Sequence, residues 1–196
     1  MKELYETITQ ALVTDGYVVI ENALDTDLAK ELLNFAINKT NYKQAGISID
    51  SKLDQNKRKD KIHWLYEDNS IQSKFLEFSK SLQTYLNKEL YLGLSYYESH
   101  FALYDNGDFY EKHLDAFKNS KNRVVTTVFY LNDDWKKEDG GELIIYDKYD
   151  KYLTKVTPKL NTLVVFMSEE FPHEVLKSNK KRYSIAGWFR VDKKEL

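Results

Sequence analysis

Three residues in the second half of the sequence have the side chains and the spacing of a metal site. His113 and Asp115 lie two residues apart in a predicted β-strand, so both side chains leave on the same face. His173 opens another predicted strand further along the chain. Two imidazoles and one carboxylate form the facial triad that binds non-heme iron(II) and leaves coordination positions open. Zinc accepts similar ligands, so the triad alone leaves the metal undecided.

An arginine follows this triad after a short connection. Arg182 comes nine residues after His173, just past a turn predicted at Ser178-Asn179. A plain hairpin would place Arg182 and His173 opposite each other, and an arch between two sheets would also keep them close; the sequence leaves both open. A buried arginine needs an anionic partner, because an unpaired buried charge is very costly. A diacid bound to the metal and to Arg182 would meet that need, whereas an exposed strand arginine is the plain alternative.

The elements that must position these residues change in character near residue 90. Helical spacing of apolar residues predicts one helix that stops at Asp15-Gly16, a second capped by Asp25 and a third that follows Asn69-Ser70. A short strand is predicted at 17–20, and the later predicted strands are 96–104, 109–115, 123–131, 142–146, 152–156, 162–166, 173–177 and 182–191. The pattern indicates an α+β fold with a mainly β core, a double-stranded β-helix (jelly roll) supported by N-terminal helices.

Composition narrows the classes of protein that this chain could represent. A length of 196 residues suits one domain, and a net charge of −2 lacks the basic excess of a nucleic-acid binder. The absence of cysteine excludes disulfides, thiolate zinc sites and cysteine nucleophiles. No signal sequence and no apolar run of membrane-spanning length is present, so we expect no membrane association and a cytoplasmic location.

We predict a single domain over residues 1–196. Residues 1–89 would form helical support and include a mobile substrate loop at about 43–64, and residues 90–192 would form the catalytic core. The segment 43–61 is rich in lysine and arginine and has no apolar period. Such a segment is either a solvated loop or a functional lid.

Several motifs occur in an order that resembles a known family. They are Asp60-Lys61-Ile62-His63-Trp64, Phe101-Ala102-Leu103-Tyr104, the run from Thr127 to Trp135, Gly140-Gly141-Glu142-Leu143, Pro172-His173-Glu174-Val175 and the run from Arg182 to Trp188. Together they resemble the prolyl hydroxylases of the hypoxia-response (EGL-nine) type and their bacterial relatives, which are 2-oxoglutarate- and Fe(II)-dependent oxygenases. The resemblance covers roughly residues 55 to 190.

The resemblance implies a role for each matching position. His113, Asp115 and His173 match the iron ligands, and Arg182 matches the residue that pairs with the far carboxylate of 2-oxoglutarate. The other matching co-substrate positions are Tyr104 and Tyr130, which would hydrogen-bond to it, and Val128, Leu143, Val175 and Trp188, which would line its pocket. The positions implied on the substrate side are Asp60, Trp64, Tyr110 and Arg123, with Asp60 and Arg123 as a charge pair that tethers the mobile loop.

The implied reaction is hydroxylation of a prolyl residue in a protein with an accessible proline. It would use molecular oxygen, Fe(II) and 2-oxoglutarate, with ascorbate as an additional reductant; a translation-related target is one option. Two alternatives stay open, a hydroxylase of a free amino acid or small metabolite and a non-enzymatic jelly-roll binding module. The chain departs from the family at Leu176-Lys177-Ser178, where a proline is usual, and at His63. We interpret His63 and His100 as structural or incidental.

Overall fold

The computed structural model describes residues 1–46, 56–116 and 122–192. Along the chain the elements are α1 (Lys2–Thr14), β1 (Tyr17–Ile20), α2 (Thr26–Asn38), β2 (Lys43–Gln44), β3 (Lys61–Trp64), α3 (Ser70–Leu90), β4 (Tyr96–Tyr104), β5 (Tyr110–His113), β6 (Arg123–Tyr130), a 3₁₀ turn (Lys137–Asp139), β7 (Leu143–Tyr146), β8 (Tyr152–Val156), β9 (Leu163–Met167), β10 (His173–Val175) and β11 (Arg182–Arg190). None of the helices within these ranges is long and apolar enough to cross a membrane.

Side-chain caps fix the starts of two helices. The Asp25 carboxylate accepts hydrogen bonds from the backbone N–H groups of Asp27 and Leu28, at 3.0 and 3.1 Å. The side-chain oxygen of Asn69 caps α3 in the same way. These bonds satisfy donors that have no partner within the helix. Both predicted helix starts are confirmed.

Two antiparallel sheets form the core of the fold. Among the described residues, seven strands make the larger sheet in the order β1-β9-β6-β11-β4-β3-β2, and four make the smaller one in the order β5-β10-β7-β8. Apolar side chains of both sheets meet in one buried cluster between them. This arrangement confirms the predicted jelly-roll core.

The larger sheet separates two layers because side chains alternate along each strand. On one face, Phe129 of β6 packs against Phe75 of α3, with ring centroids 5.6 Å apart, and all three helices bury their apolar sides there. The next residue, Tyr130, points to the other face and joins Leu143 and Val175 of the smaller sheet. The helices therefore support one face of the sheet and leave the other face for the site.

All nine predicted strands are present, with ends that differ by at most two residues. The strands β2 and β3 were not predicted, because runs of two and four residues with polar members are too short to show the apolar alternation of a strand. These strands form a hairpin at the edge of the larger sheet, where His63 pairs with Phe101. The N-terminal part therefore contributes strands as well as helices. Residues 47–55 of the expected mobile loop lie outside the described residues, and the mobility of that loop stays a prediction.

Candidate active site

The three predicted metal ligands converge between the two sheets. His113 ends β5 and lies opposite His173, the first residue of β10, in the antiparallel register. Asp115 lies in a bend just past β5, so the predicted strand 109–115 ends two residues early and the bend turns the carboxylate inward. Its oxygens lie 3.6 Å from His113 Nε2 and 3.5 Å from His173 Nε2. The three ligand atoms lie within 4.8 Å of one another and could hold one metal ion.

In each of the two histidines, a hydrogen bond at Nδ1 orients the ring and leaves Nε2 to bind a metal. His113 Nδ1 lies 2.8 Å from the carbonyl oxygen of Glu111, and His173 Nδ1 lies 2.9 Å from that of Phe171. A carbonyl can only accept a hydrogen bond, so Nδ1 carries the proton in the neutral ring. Nε2 therefore keeps its lone pair on the side of Asp115, as in histidines that bind metals.

Asp115 is buried, and its surroundings keep it ionised. Thr126 Oγ1 donates to Asp115 Oδ2 at 2.9 Å and lies 2.8 Å from Ser168 Oγ. Burial by itself would raise the pKa of Asp115, but His173 and His113 outweigh it and hold that pKa well below its usual value. Burial and the charge of His113 lower the pKa of His173 to about 4. At neutral pH the site therefore presents a carboxylate beside a neutral His173.

Arg182 is buried with no carboxylate partner among the described residues. It is 1% exposed, yet its Nε donates only to the carbonyl oxygen of Gly141, at 2.8 Å, and its Nη1 to Ser184 Oγ, at 3.3 Å. The rings of Tyr104 and Tyr130 lie 4.8 and 5.0 Å from its guanidinium carbon. These contacts are uncharged and do not neutralise the buried guanidinium of Arg182, so the site is suited to an anionic ligand.

The two tyrosines beside Arg182 are uncharged hydrogen-bond donors. The hydroxyl of Tyr130 is buried and has no hydrogen-bond partner among the described residues. Burial raises the pKa of Tyr130 to about 12 and that of Tyr104 well above its usual value of 10. Both phenols therefore keep their protons at neutral pH and can donate to a carboxylate.

The connection between His173 and Arg182 crosses from one sheet to the other. His173 belongs to the smaller sheet and Arg182 to the larger one, so the connection is an arch rather than a hairpin. Both side chains line one cavity of about 730 Å³. The predicted apolar lining residues are all found in its wall, and they are Val128, Leu143, Val175 and Trp188.

An iron ion and a small dicarboxylate fit the two ends of this cavity. Two imidazole nitrogens and one carboxylate are ligands that iron(II) accepts while leaving positions open. At the other end, Gly141 shapes the cradle of Arg182. Its φ is +68°, and a Cβ at this position would lie 2.9 Å from Arg182 Cδ. Glycine therefore lets the Gly141 carbonyl reach the guanidinium.

Comparisons with known proteins agree with this geometry. The sequence profile of the 2OG-Fe(II) oxygenase superfamily matches residues 99–190. A prolyl-4-hydroxylase of known structure from Pseudomonas putida is 32% identical, with a TM-score of 0.89 over 95% of this chain and 99% of that chain. The chain belongs to the 2OG-Fe(II) oxygenase superfamily. A second solved structure, a Trichoplax adhaerens prolyl hydroxylase in complex with a peptide fragment of the hypoxia inducible factor oxygen degradation domain, is 27% identical. Its TM-score is 0.87, over 96% of this chain and 90% of that chain.

Curated relatives of this oxygenase match a shorter region. Egl nine homolog 1 from rat and from human is 37% identical over 86 residues, which make up 43% of this chain. The match covers 25% of the rat protein and 20% of the human protein, so it spans a quarter or less of these relatives. The predicted resemblance to prolyl hydroxylases is confirmed.

The predicted substrate-side residues of this oxygenase also line the cavity. They are Asp60, Trp64, Tyr110 and Arg123. The Tyr110 ring stacks on that of His113, with centroids 3.6 Å apart, so this residue packs directly against a candidate metal ligand.

The predicted charge pair between Asp60 and Arg123 is wrong. Asp60 is fully buried and binds Arg58, with Nη2 2.6 Å from Oδ2 and Nε 2.8 Å from Oδ1. Arg123 binds Glu98 at 2.9 Å and stacks on Trp188, 3.7 Å from the ring centroid. Arg58 lies only two residues from Asp60 in the chain, so its guanidinium is close enough to pair with the Asp60 carboxylate. The close spacing of Arg58 and Asp60 is visible in the sequence, whereas the pairing of Arg123 with Glu98 depends on the fold.

Proposed function

We propose that this oxygenase uses Fe(II), 2-oxoglutarate and molecular oxygen to hydroxylate a prolyl residue in a protein substrate. One observation carries the proposal: His113, Asp115 and His173 share a cavity with an Arg182 that has no counter-ion among the described residues. This arrangement suits a ligand with metal-binding oxygens at one end and a free carboxylate at the other, and 2-oxoglutarate has that shape.

The residues of the chain would bind and orient the co-substrate. Arg182 would form a forked, charge-assisted pair with the far carboxylate, and the Tyr130 hydroxyl would donate to the same group. Tyr104 would supply a further donor nearby. When bound at His113, Asp115 and His173, iron and 2-oxoglutarate supply the oxidation, in which 2-oxoglutarate is decarboxylated to succinate and one oxygen atom enters a C–H bond. The apolar wall around the co-substrate would exclude water.

A peptide substrate is favoured by the size and lining of the cavity. Its volume of about 730 Å³ leaves room beyond a five-carbon diacid and a metal ion. Trp64 stands at the edge of the larger sheet with 38% of its surface exposed, and Tyr110 lies beside the metal site. Aromatic side chains of this kind commonly anchor bound peptides. The Trichoplax adhaerens relative was solved with a peptide fragment bound.

Mass spectrometry of treated cell extract would test the proposal. The extract is incubated in air with the purified chain, Fe(II), 2-oxoglutarate and ascorbate, and peptides are searched for the gain of one oxygen atom on proline. Asp115→Ala, and an incubation without 2-oxoglutarate, serve as controls. The proposal is supported if prolyl residues gain oxygen with the wild-type chain and 2-oxoglutarate, but not in either control. Oxidation confined to free amino acids or small metabolites would favour the small-molecule alternative, and no turnover of 2-oxoglutarate at all would favour a binding module.

Two finer predictions accompany this proposal. The first is that the modified protein takes part in translation, and the same spectra would identify that protein. The second is that the enzyme is located in the cytoplasm.

A further inference from the structure

His100 lies in the cavity wall between two tryptophans. It shares a face of β4 with Ala102 and Tyr104, because side chains alternate along a strand. Its ring centroid is 5.2 Å from that of Trp64 and 5.3 Å from that of Trp188. The residue lines the cavity, although only 4% of its surface is exposed.

The polar atoms of this aromatic group lack partners among the described residues. His100 Nδ1 and Trp188 Nε1 are both buried without a hydrogen bond, and no described residue bonds to His100 Nε2. Burial and the charges of Arg58 and Arg123 lower the pKa of His100 to about 3, so the ring is neutral at physiological pH. A neutral imidazole carries one N–H donor and one acceptor nitrogen. Folding has thus taken polar atoms out of water without replacing their bonds, which is uncommon in native proteins.

Because His100 lines the cavity, a ligand bound there could supply a hydrogen-bond partner, and the position of His100 suggests which ligand it is. Tyr104 lies opposite Arg182 in the register of β4 and β11, at the end of the cavity that suits the co-substrate carboxylate. His100 lies four residues earlier in β4, roughly 13 Å away along the strand. It lies opposite Ala186, whose small side chain leaves space above the sheet. His100 is therefore placed to meet the substrate rather than the far carboxylate of 2-oxoglutarate.

We propose that His100 is a specificity-determining residue that hydrogen-bonds to a backbone amide of the substrate peptide, with Trp64 and Trp188 packed beside the peptide chain. This inference rests on the proposed function, since it requires a peptide. A peptide amide offers both a donor and an acceptor, so it can make one hydrogen bond to His100 in either tautomer of the neutral ring. The nitrogen of a prolyl residue carries no hydrogen, so the recognised N–H belongs to a neighbouring residue. A leucine would fill the same space without unsatisfied polar atoms, so packing alone does not account for a histidine.

Two variants at this position separate hydrogen bonding from packing. His100→Leu removes both ring nitrogens at similar volume, and His100→Gln keeps one donor group and one acceptor. The probes are a panel of synthetic proline-centred peptides and free L-proline, each assayed first with the wild-type enzyme. For the peptides that are oxidised, His100→Leu should raise KM about five- to tenfold with little change in kcat, the loss expected for one neutral hydrogen bond. His100→Gln should stay within about threefold of wild type.

Two further readouts distinguish this role from a structural one. The affinity of the metal-loaded chain for 2-oxoglutarate, measured by calorimetry without oxygen, should be the same in both variants and in wild type. The free energy of unfolding of His100→Leu should equal or exceed that of wild type, because unsatisfied buried nitrogens have been removed. A less stable His100→Leu with weaker 2-oxoglutarate binding would show a structural role and overturn the inference.

The kinetic outcomes also separate this inference from the proposed function. Equal peptide KM values for wild type and His100→Leu would overturn the inference and leave the proposed function standing. Oxidation of free L-proline alone by the wild-type enzyme would overturn both.

Discussion

His113 and His173 lie opposite each other in the pair β5–β10, with ring centroids 4.3 Å apart. In both residues Nδ1 bonds to the carbonyl two positions earlier in the chain, so one local device orients both rings. Their Nε2 atoms therefore point toward Asp115, where a metal would bind. Strand pairing and two backbone bonds thus prepare the site before any metal arrives.

Metal affinity should depend on Asp115 and, more weakly, on the residue that holds it. Asp115→Ala removes a ligand and should abolish tight binding of Fe(II). Thr126→Val keeps the shape of the side chain but removes the hydrogen bond to Asp115, and it should lower metal affinity roughly tenfold. Anaerobic calorimetric titration with Fe(II) measures both. Wild-type affinity in Asp115→Ala would place the metal elsewhere.

Arg182→Ala should weaken 2-oxoglutarate binding far more than metal binding. Removal of one partner of a buried charge pair costs about 2–5 kcal/mol, which is roughly tens- to thousands-fold in affinity. Arg182→Lys should rescue only part of the loss, because an ammonium cannot make the forked contact. The dissociation constant of 2-oxoglutarate, measured with metal bound, checks both variants. An unchanged constant in Arg182→Ala would mean that the co-substrate binds at another place.

Gly141→Ala should harm both stability and co-substrate binding, and Gly107→Ala provides the matched control. Both glycines have positive φ, +68° and +88°, so alanine costs about 1–2 kcal/mol of backbone strain at either position. Only at Gly141 would the added Cβ also meet Arg182. Urea denaturation should therefore show the larger loss for Gly141→Ala, and 2-oxoglutarate affinity should fall for that variant alone. Equal effects of the two substitutions would argue against the cradle.

Acid should destabilise the metal-free protein through two buried histidines. Burial lowers the pKa of His100 to about 3 and that of His173 to about 4, below the usual value of about 6.5. Between about pH 6.5 and 4 the unfolded chain therefore binds protons that the folded chain does not, so the free energy of unfolding falls as the pH falls. Each histidine contributes at most about 1.4 kcal/mol per pH unit. Urea denaturation across this range should show a shallower slope for His100→Leu than for wild type, and an identical slope would contradict the burial of a neutral His100.

The sequence could predict those features of the molecule that depend on residues close together in the chain. Asp25 and Asn69 cap helices because their side chains satisfy the first backbone donors, and that chemistry is local. The short spacing of His113 and Asp115 indicated a shared site, although a bend rather than strand alternation turns Asp115 inward, and residue type and motif order identified His173 and Arg182 as their companions. Each of these inferences needed only neighbouring residues or a resemblance along the chain.

Features that depend on the tertiary structure were beyond the sequence. The strand β3 pairs with β4 along all four of its residues, and a run that short shows no strand pattern of its own in the sequence. The choice between a hairpin and an arch before Arg182 depends on which sheet accepts each strand. His100 looked incidental because its significance lies in the partners that it lacks, and only the packing around it reveals them.

A coupled assay with matched substrates would decide whether this site hydroxylates proline. Purified chain, Fe(II) and 2-oxoglutarate are incubated in air with a proline-containing peptide found by the extract experiment, with the same peptide carrying alanine at that position, and with free L-proline. We predict that succinate and hydroxylated proline form in equal amounts with the proline peptide, and that Arg182→Ala loses both at low 2-oxoglutarate concentration. Succinate formation with no oxygen on the peptide, or equal turnover of the alanine peptide, would contradict prolyl hydroxylation by this site.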